Sequence, residues 1–224
     1  MNKDIAVIFD FNGTCIFDGK FHDEAWKTYI EELTSRNVSV DEVKDYIIGK
    51  TAKDILEHFL GYELNDNMVN QLSEEKERIY RIMLAKSDVG LAPGLEEFLN
   101  YLSLAKVKRT IATTANLENM NYYFERYNLE RWFKWEEIVI GIGNIPLKPH
   151  PDLYLAAIKK LDMPVEKIVV FEDSESGVMA AERAGIKHII AITGDSNSMC
   201  LAERKNIIAS VEDFLHLGEI DFKI

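Results

Sequence analysis

The stretch Phe9-Asp10-Phe11-Asn12-Gly13-Thr14 closes an apolar run, Ile5–Phe9, near the start of the chain, and its reading decides the fold. A short β-branched and aromatic run that ends on an acid and a Gly-Thr turn predicts a buried strand whose carboxyl end carries polar groups. Comparable runs follow at Arg109–Thr113, Ile138–Ile140, Ile168–Phe171, Ile189–Ile192 and Ile207–Ala209. Their near-continuous hydrophobicity fits strands covered on both faces, as in a parallel sheet. Helical patterns lie between them, at Pro93–Leu104, Leu117–Tyr127, Pro151–Leu161, Glu175–Ala184 and Val211–Leu217. Alternation of strand and helix predicts an α/β, doubly wound parallel-sheet (Rossmann-like) core. The narrow face Gly177, Ala180, Ala181 and Ala184 suits close packing of one helix on that sheet, and Gly185 stands where a C-cap glycine belongs.

Residues 18–87 break this rhythm. They contain no clear strand but show helical spacing in Trp26, Tyr29, Ile30 and Leu33, and again in Met68, Leu72, Ile79 and Ile82. The expected organisation is a core of residues 1–17 and 88–224 with an inserted all-helical cap of residues 18–87. Asp18-Gly19 and Ser87–Pro93 are the natural hinges.

The chain has 224 residues, 47% hydrophobic and 29% charged, which is enough for a sizeable core. A net charge of −12 disfavours a nucleic-acid partner, because phosphate backbones need surface Lys and Arg. It leaves room for one small phosphorylated metabolite held by a local cation. The two cysteines, Cys15 and Cys200, form no CxxC pattern and suit a reducing compartment. No run approaches a membrane span, and an acid interrupts the N-terminus too early for a signal peptide. The expectation is a cytoplasmic protein without a membrane partner, monomeric or weakly homo-oligomeric.

Ligands of open α/β sheets bind at the carboxyl ends of the strands. The polar residues that follow the runs are Asp10, Asn12 and Thr14; Thr113, Thr114 and Asn116; Lys148; and Glu172, Asp173 and Ser174. Carboxylates suit Mg²⁺, and a lysine with hydroxyl groups suits a phosphoryl group. The set therefore predicts magnesium-assisted phosphoryl transfer.

Four segments carry a family resemblance: DFNGT, IATTAN, KPHPDLY and FEDSESG. In order and spacing they resemble the motifs of the haloacid dehalogenase superfamily, and the insert's position is similar to the type-1 helical cap of its β-phosphoglucomutase-like branch. His22, in FHDEAW, resembles that branch's HxxAW stretch and is a candidate substrate contact. The resemblance implies that Asp10 attacks phosphorus to form an aspartyl-phosphate, a covalent route that divides one hard step in two. It implies that Thr113, or Thr114 one place on, binds the phosphoryl group with Thr14, and that Lys148 neutralises charge. It assigns Mg²⁺ to Asp10, the main-chain carbonyl of Asn12 and Asp173, with Glu172 as an accompanying acid. Asn116 either contacts substrate or caps the helix that follows.

Asn12 departs from the family pattern, in which a second aspartate protonates the leaving group and then activates water. An amide performs neither transfer. General acid–base catalysis is worth roughly 10²–10⁴-fold, so the expected enzyme is an attenuated Mg²⁺-dependent phosphatase that favours leaving groups needing little protonation. His22 is a candidate to replace the lost acid in part. A phosphate-binding or regulatory protein is the alternative. Phosphonate hydrolases of the superfamily also lack the acid and use a cap lysine as a Schiff base, with Lys50 and Lys53 in the corresponding region. A mutase role is disfavoured by the missing acid and by Ala52 near the place of a phosphate-gripping arginine.

Overall fold

Six parallel strands form one sheet in the order β3-β2-β1-β4-β5-β6: β1 (Ala6–Phe9), β2 (Lys108–Thr113), β3 (Val139–Ile140), β4 (Ile168–Glu172), β5 (His188–Ile192) and β6 (Ile207–Val211). The structure is a computed structural model and describes residues 5–141, 145–195 and 204–219, so Cys200 lies outside the described residues. Contacts divide the chain into a unit of Met1–Phe17 with Gly90–Ile224 and a unit of Asp18–Val89.

The first unit is the α/β core. Its strand order reverses at β1, whose neighbours are β2 on one side and β4 on the other, and such a switch point opens a crevice at the strand ends. Register fixes what meets there. Phe9 pairs with Ile111 on one side and Phe171 on the other, so Asp10, the next residue, lies beside the end of β4. The Asp10 N–H donates to the Phe171 carbonyl at 3.0 Å.

Alternation along β1 sends side chains to opposite faces. Ala6 and Ile8 join Val170, Leu153, Ala157, Val178 and Ala181 in an aliphatic layer. Phe9 turns the other way, stacking on Phe171 at 5.2 Å and meeting Phe98, Phe133 and Phe214 edge-on or tilted. Each such aromatic pair contributes about 0.5–1.5 kcal/mol beyond its area.

The helices of this unit are α5 (Leu95–Leu104), α6 (Leu117–Arg126), α7 (Asp152–Leu161) and α8 (Glu175–Arg183), close to their expected bounds. Gly185, just past α8, has φ of +88°, as a C-cap glycine should. The expected helix Val211–Leu217 is not formed. Strand β6 runs on to Val211, and a 3₁₀ turn occupies Phe214–Glu219. The Asp213 carboxylate accepts from the Leu215 N–H at 2.9 Å, a local bond that competes with α-helix formation.

The second unit contains α1 (Gly19–Thr34), α2 (Val40–Tyr46), α3 (Ala52–Leu60) and α4 (Asp66–Ala85). Capping boxes at Ser39/Glu42 and Thr51/Asp54 start α2 and α3. Its interior holds Ile30, Ile55, Leu56, Tyr80 and Leu84. Lys76, on α4, is only 2% exposed. Its ammonium donates to His22 Nδ1 at 2.6 Å and to Glu77 at 2.8 Å, and sits 5.3 Å from the Trp26 ring centre. No helix among the described residues is long and apolar enough to cross a membrane.

Candidate active site

Three strand ends build the site. After β1 the chain turns tightly, with the N–H groups of Cys15 and Ile16 both donating to the Phe11 carbonyl. The turn needs Gly13: its φ is +78°, and a Cβ there would stand 2.1 Å from Asp173 Oδ2. Asp173 therefore lies tight against the β1 loop, where the buried Thr14 hydroxyl donates to its Oδ1 at 3.1 Å.

Lys148 is the electrostatic centre. Its ammonium donates to Asp10 Oδ1 and to Glu172 Oε1, each at 2.5 Å. Burial by itself would push this lysine down, but the charges of Asp10 and Glu172 outweigh it and hold it well above the usual range. Glu172, fully buried, accepts on both oxygens: Tyr154 O–H and Lys148 reach Oε1, while the Ser174 N–H and hydroxyl reach Oε2 at 2.7 and 3.0 Å. Burial, then Glu172, keeps the Tyr154 phenol protonated far above its ordinary pKa, so it donates.

A cavity of about 320 Å³ opens here, lined by Asp10, Asn12, Thr113, Thr114, Lys148 and Asp173, with Leu147, Ser174 and Ser176 completing the wall. Thr114 is exposed, whereas Thr113 is buried with its oxygen accepting from the Ala115 N–H at 3.1 Å. Carboxylate oxygens of Asp10, Glu172 and Asp173 lie within 4.8 Å of one another. Burial first, and then the Glu172 and Asp10 charges, raise the Asp173 carboxyl well above its ordinary value. Two buried acids, Asp10 and Glu172, and the half-buried Asp173 beside one ammonium form a hard, oxygen-rich and negative donor set, which fits a divalent cation such as Mg²⁺.

The remaining candidates have the following surroundings. Thr14 is fully buried behind Asp173 and does not line the cavity, because its hydroxyl is given to that carboxylate. Asn116 caps α6, its Oδ1 accepting from the Asn119 N–H at 2.8 Å. His22 belongs to the helical unit, where its ring stacks on Tyr80 and its Nε2 lies 3.3 Å from Asp18. Lys50 and Lys53 are exposed, and Lys53 pairs loosely with Glu57. Cys15 is buried, its thiol donates to the Asp10 carbonyl at 3.1 Å, and burial, then the Asp10 and Asp173 charges, hold that thiol well above the usual range.

Two contributors carry no assignment from sequence. Tyr154 lies inside KPHPDLY, and its motif position is the available signal. Tyr123 accepts a hydrogen bond from Asn12 Nδ2 at 2.8 Å across 111 residues of chain, and nothing local marks it.

A family profile described as haloacid dehalogenase-like hydrolase matches residues 7–191. The chain belongs to the haloacid dehalogenase-like hydrolase family. It is 30% identical over 200 residues to a phosphorylated carbohydrates phosphatase of Thermotoga maritima, covering 86% of this chain and 87% of that one. It is also similar to the β-phosphoglucomutase of Bacillus subtilis, at 26% identity over 81% of this chain and 80% of the other. Among solved structures, a family IA, variant 3 hydrolase of Entamoeba histolytica superposes with a TM-score of 0.89 at 35% identity, covering 97% of this chain and 96% of that one. Membership of this family makes the chain a hydrolase.

Proposed function

We propose that this hydrolase is a phosphatase of small phosphorylated metabolites, with phosphorylated carbohydrates as the first class to test. The reading is carried by one observation: the Lys148 ammonium bridges Asp10 and Glu172 at the floor of a cavity walled by hydroxyl groups. In this reading an Asp10 carboxylate oxygen forms a bond to phosphorus while the bond from phosphorus to the leaving oxygen breaks. Water then attacks phosphorus, the bond from phosphorus to the Asp10 oxygen breaks, and inorganic phosphate leaves as Asp10 returns to a carboxylate. Lys148 and the Thr113–Thr114 segment hold the phosphoryl oxygens, and Glu172 fixes Lys148 from below. Asp10, Asp173 and the Asn12 carbonyl are the groups that would hold Mg²⁺, which when bound supplies charge neutralisation at the phosphoryl group. The leaving oxygen takes its proton from water, since the Asn12 amide donates hydrogen bonds but is not a general acid. The helical unit is read as the cap that selects substrate.

The amide at position 12 favours one second reading, a phosphate-binding protein with little turnover. A p-nitrophenyl phosphate assay and a sugar-phosphate panel, each with Mg²⁺ and with EDTA, separate the two. Metal-dependent turnover that disappears in Asp10→Asn supports the phosphatase. Phosphate binding without turnover on any ester supports the binding protein.

A further inference from the structure

The Asn12 side chain is held by a residue far from it in sequence. Tyr123 lies two turns into α6, about 10 Å along the helix from its start. Helical side chains lean toward the helix N-terminus, which returns the Tyr123 ring to the end of β1. The ring stacks on Phe11 with centres 4.7 Å apart and planes 25° apart, and is fully buried. Tyr127 flanks it at 6.4 Å. So held, the hydroxyl oxygen accepts from Asn12 Nδ2 at 2.8 Å. The amide itself lines the cavity beside Asp10 and Lys148.

We propose that Tyr123 is the positioning residue for Asn12: by taking one amide N–H, it fixes the plane of the carboxamide and the face that the cavity wall presents to the leaving group. An amide carries a donor and an acceptor on one freely turning bond, so an unanchored Asn12 would present either. Anchoring commits Asn12 to one hydrogen-bonding role. The position thereby contributes orientation where proton transfer is absent. The proposal rests on the phosphatase reading for its kinetic consequence and on geometry alone for the pairing.

A double-mutant cycle tests it on p-nitrophenyl phosphate and a hexose phosphate, with wild type, Tyr123→Phe, Asn12→Ala and the double variant. Tyr123→Phe should lower kcat about fivefold with KM little changed, the factor that one hydrogen bond of ~1 kcal/mol carries. In the Asn12→Ala background the same change should have no effect. An equal loss in both backgrounds, or none in the wild type, overturns the proposal. A second arm needs no turnover and only the folded wild type: the side-chain NH₂ signals of Asn12, assigned by their loss in Asn12→Asp, should exchange slowly with solvent. Exchange at the rate of a free amide overturns the pairing. Absence of wild-type turnover would instead fail the phosphatase reading and leave this arm in force.

Discussion

A Cβ on Gly177 would stand 1.5 Å from Oε1 of Glu172 and 2.0 Å from its carboxyl carbon. The first turn of α8 thus lies directly against the acid that holds Lys148. Gly177→Ala must displace Glu172, which is fully buried and accepts from four groups, so both stability and catalysis should suffer. The expected cost is about 2–4 kcal/mol with a loss of kcat. Gly90→Ala is the control: nothing lies within 4 Å of its Cβ, and its stability should change by less than about 1 kcal/mol. Urea unfolding measures both, and equal effects would sink the packing account.

Removing Lys148 leaves Asp10 and Glu172 buried without their shared ammonium. Lys148→Ala should cost about 3–5 kcal/mol, as expected for a broken buried pair, and should abolish turnover. Unfolding and assay together check this, and a variant as stable as wild type would show that the pair is solvated.

Asn12→Asp supplies the missing proton-transfer group at a position that lines the cavity. Hydrolysis of alkyl phosphates should rise by roughly 10²–10⁴-fold, and that of aryl phosphates by less, because an aryl oxide leaves without help. A parallel rise for both classes would show that the acid is not acting on the leaving group.

Mg²⁺ should raise the melting temperature, since an ion that binds only the folded chain contributes about 2.7 kcal/mol at a hundredfold excess over its Kd. EDTA should reverse the shift, and Asp173→Asn should remove most of it, because Asp173 is one of the three acids that converge on the site. A full shift in that variant would place the ion elsewhere.

Lys76 makes stability depend on alkaline pH. Burial lowers its pKa below the ordinary 10.5, against opposition from Glu77 and Asp18. The folded chain therefore holds this proton less tightly than the unfolded chain does, and unfolding takes one up. Stability should rise as pH climbs through the window below that value, be complete above it, and fall away as pH drops through the folded pKa. Urea unfolding over the pH range just below 10.5 should show a steeper rise for wild type than for Lys76→Met. Identical slopes would mean that Lys76 keeps its ordinary affinity for the proton.

Much of the sheet was legible because most strands carry a short, mainly apolar run, as in AVIF and IVVFE, a signal that does not depend on what packs against it. The run ending at Phe9 and the run Ile168–Phe171 were both placed within one residue of their observed ends. Val211–Leu217 misled because a few apolar residues at helical spacing carry no information about Asp213, whose carboxylate holds the backbone in a 3₁₀ turn. Asp10, Asn12, Thr113, Thr114, Lys148 and Asp173 could be proposed together because strand ends in an open α/β sheet share one edge, and they line one cavity. Thr14 and Asn116 belong to the same edge in sequence, yet their oxygens serve Asp173 and the start of α6. Residue type alone does not distinguish a hydroxyl or an amide that meets a ligand from one that meets its own backbone.

By itself, the sequence determined the alternation of strands and helices up to β6, the acids and lysine at the strand ends, and the amide at position 12, because these are properties of local pattern and residue identity. Only the tertiary structure decided which partner each polar atom takes. Tyr123 reaches Asn12 across 111 residues, and Lys148 reaches Asp10 across 138, through the strand order and the lean of side chains on helices. Hydrogen bonds act over about 3 Å of space whatever the separation along the chain, so such pairings appear only once the sheet is assembled.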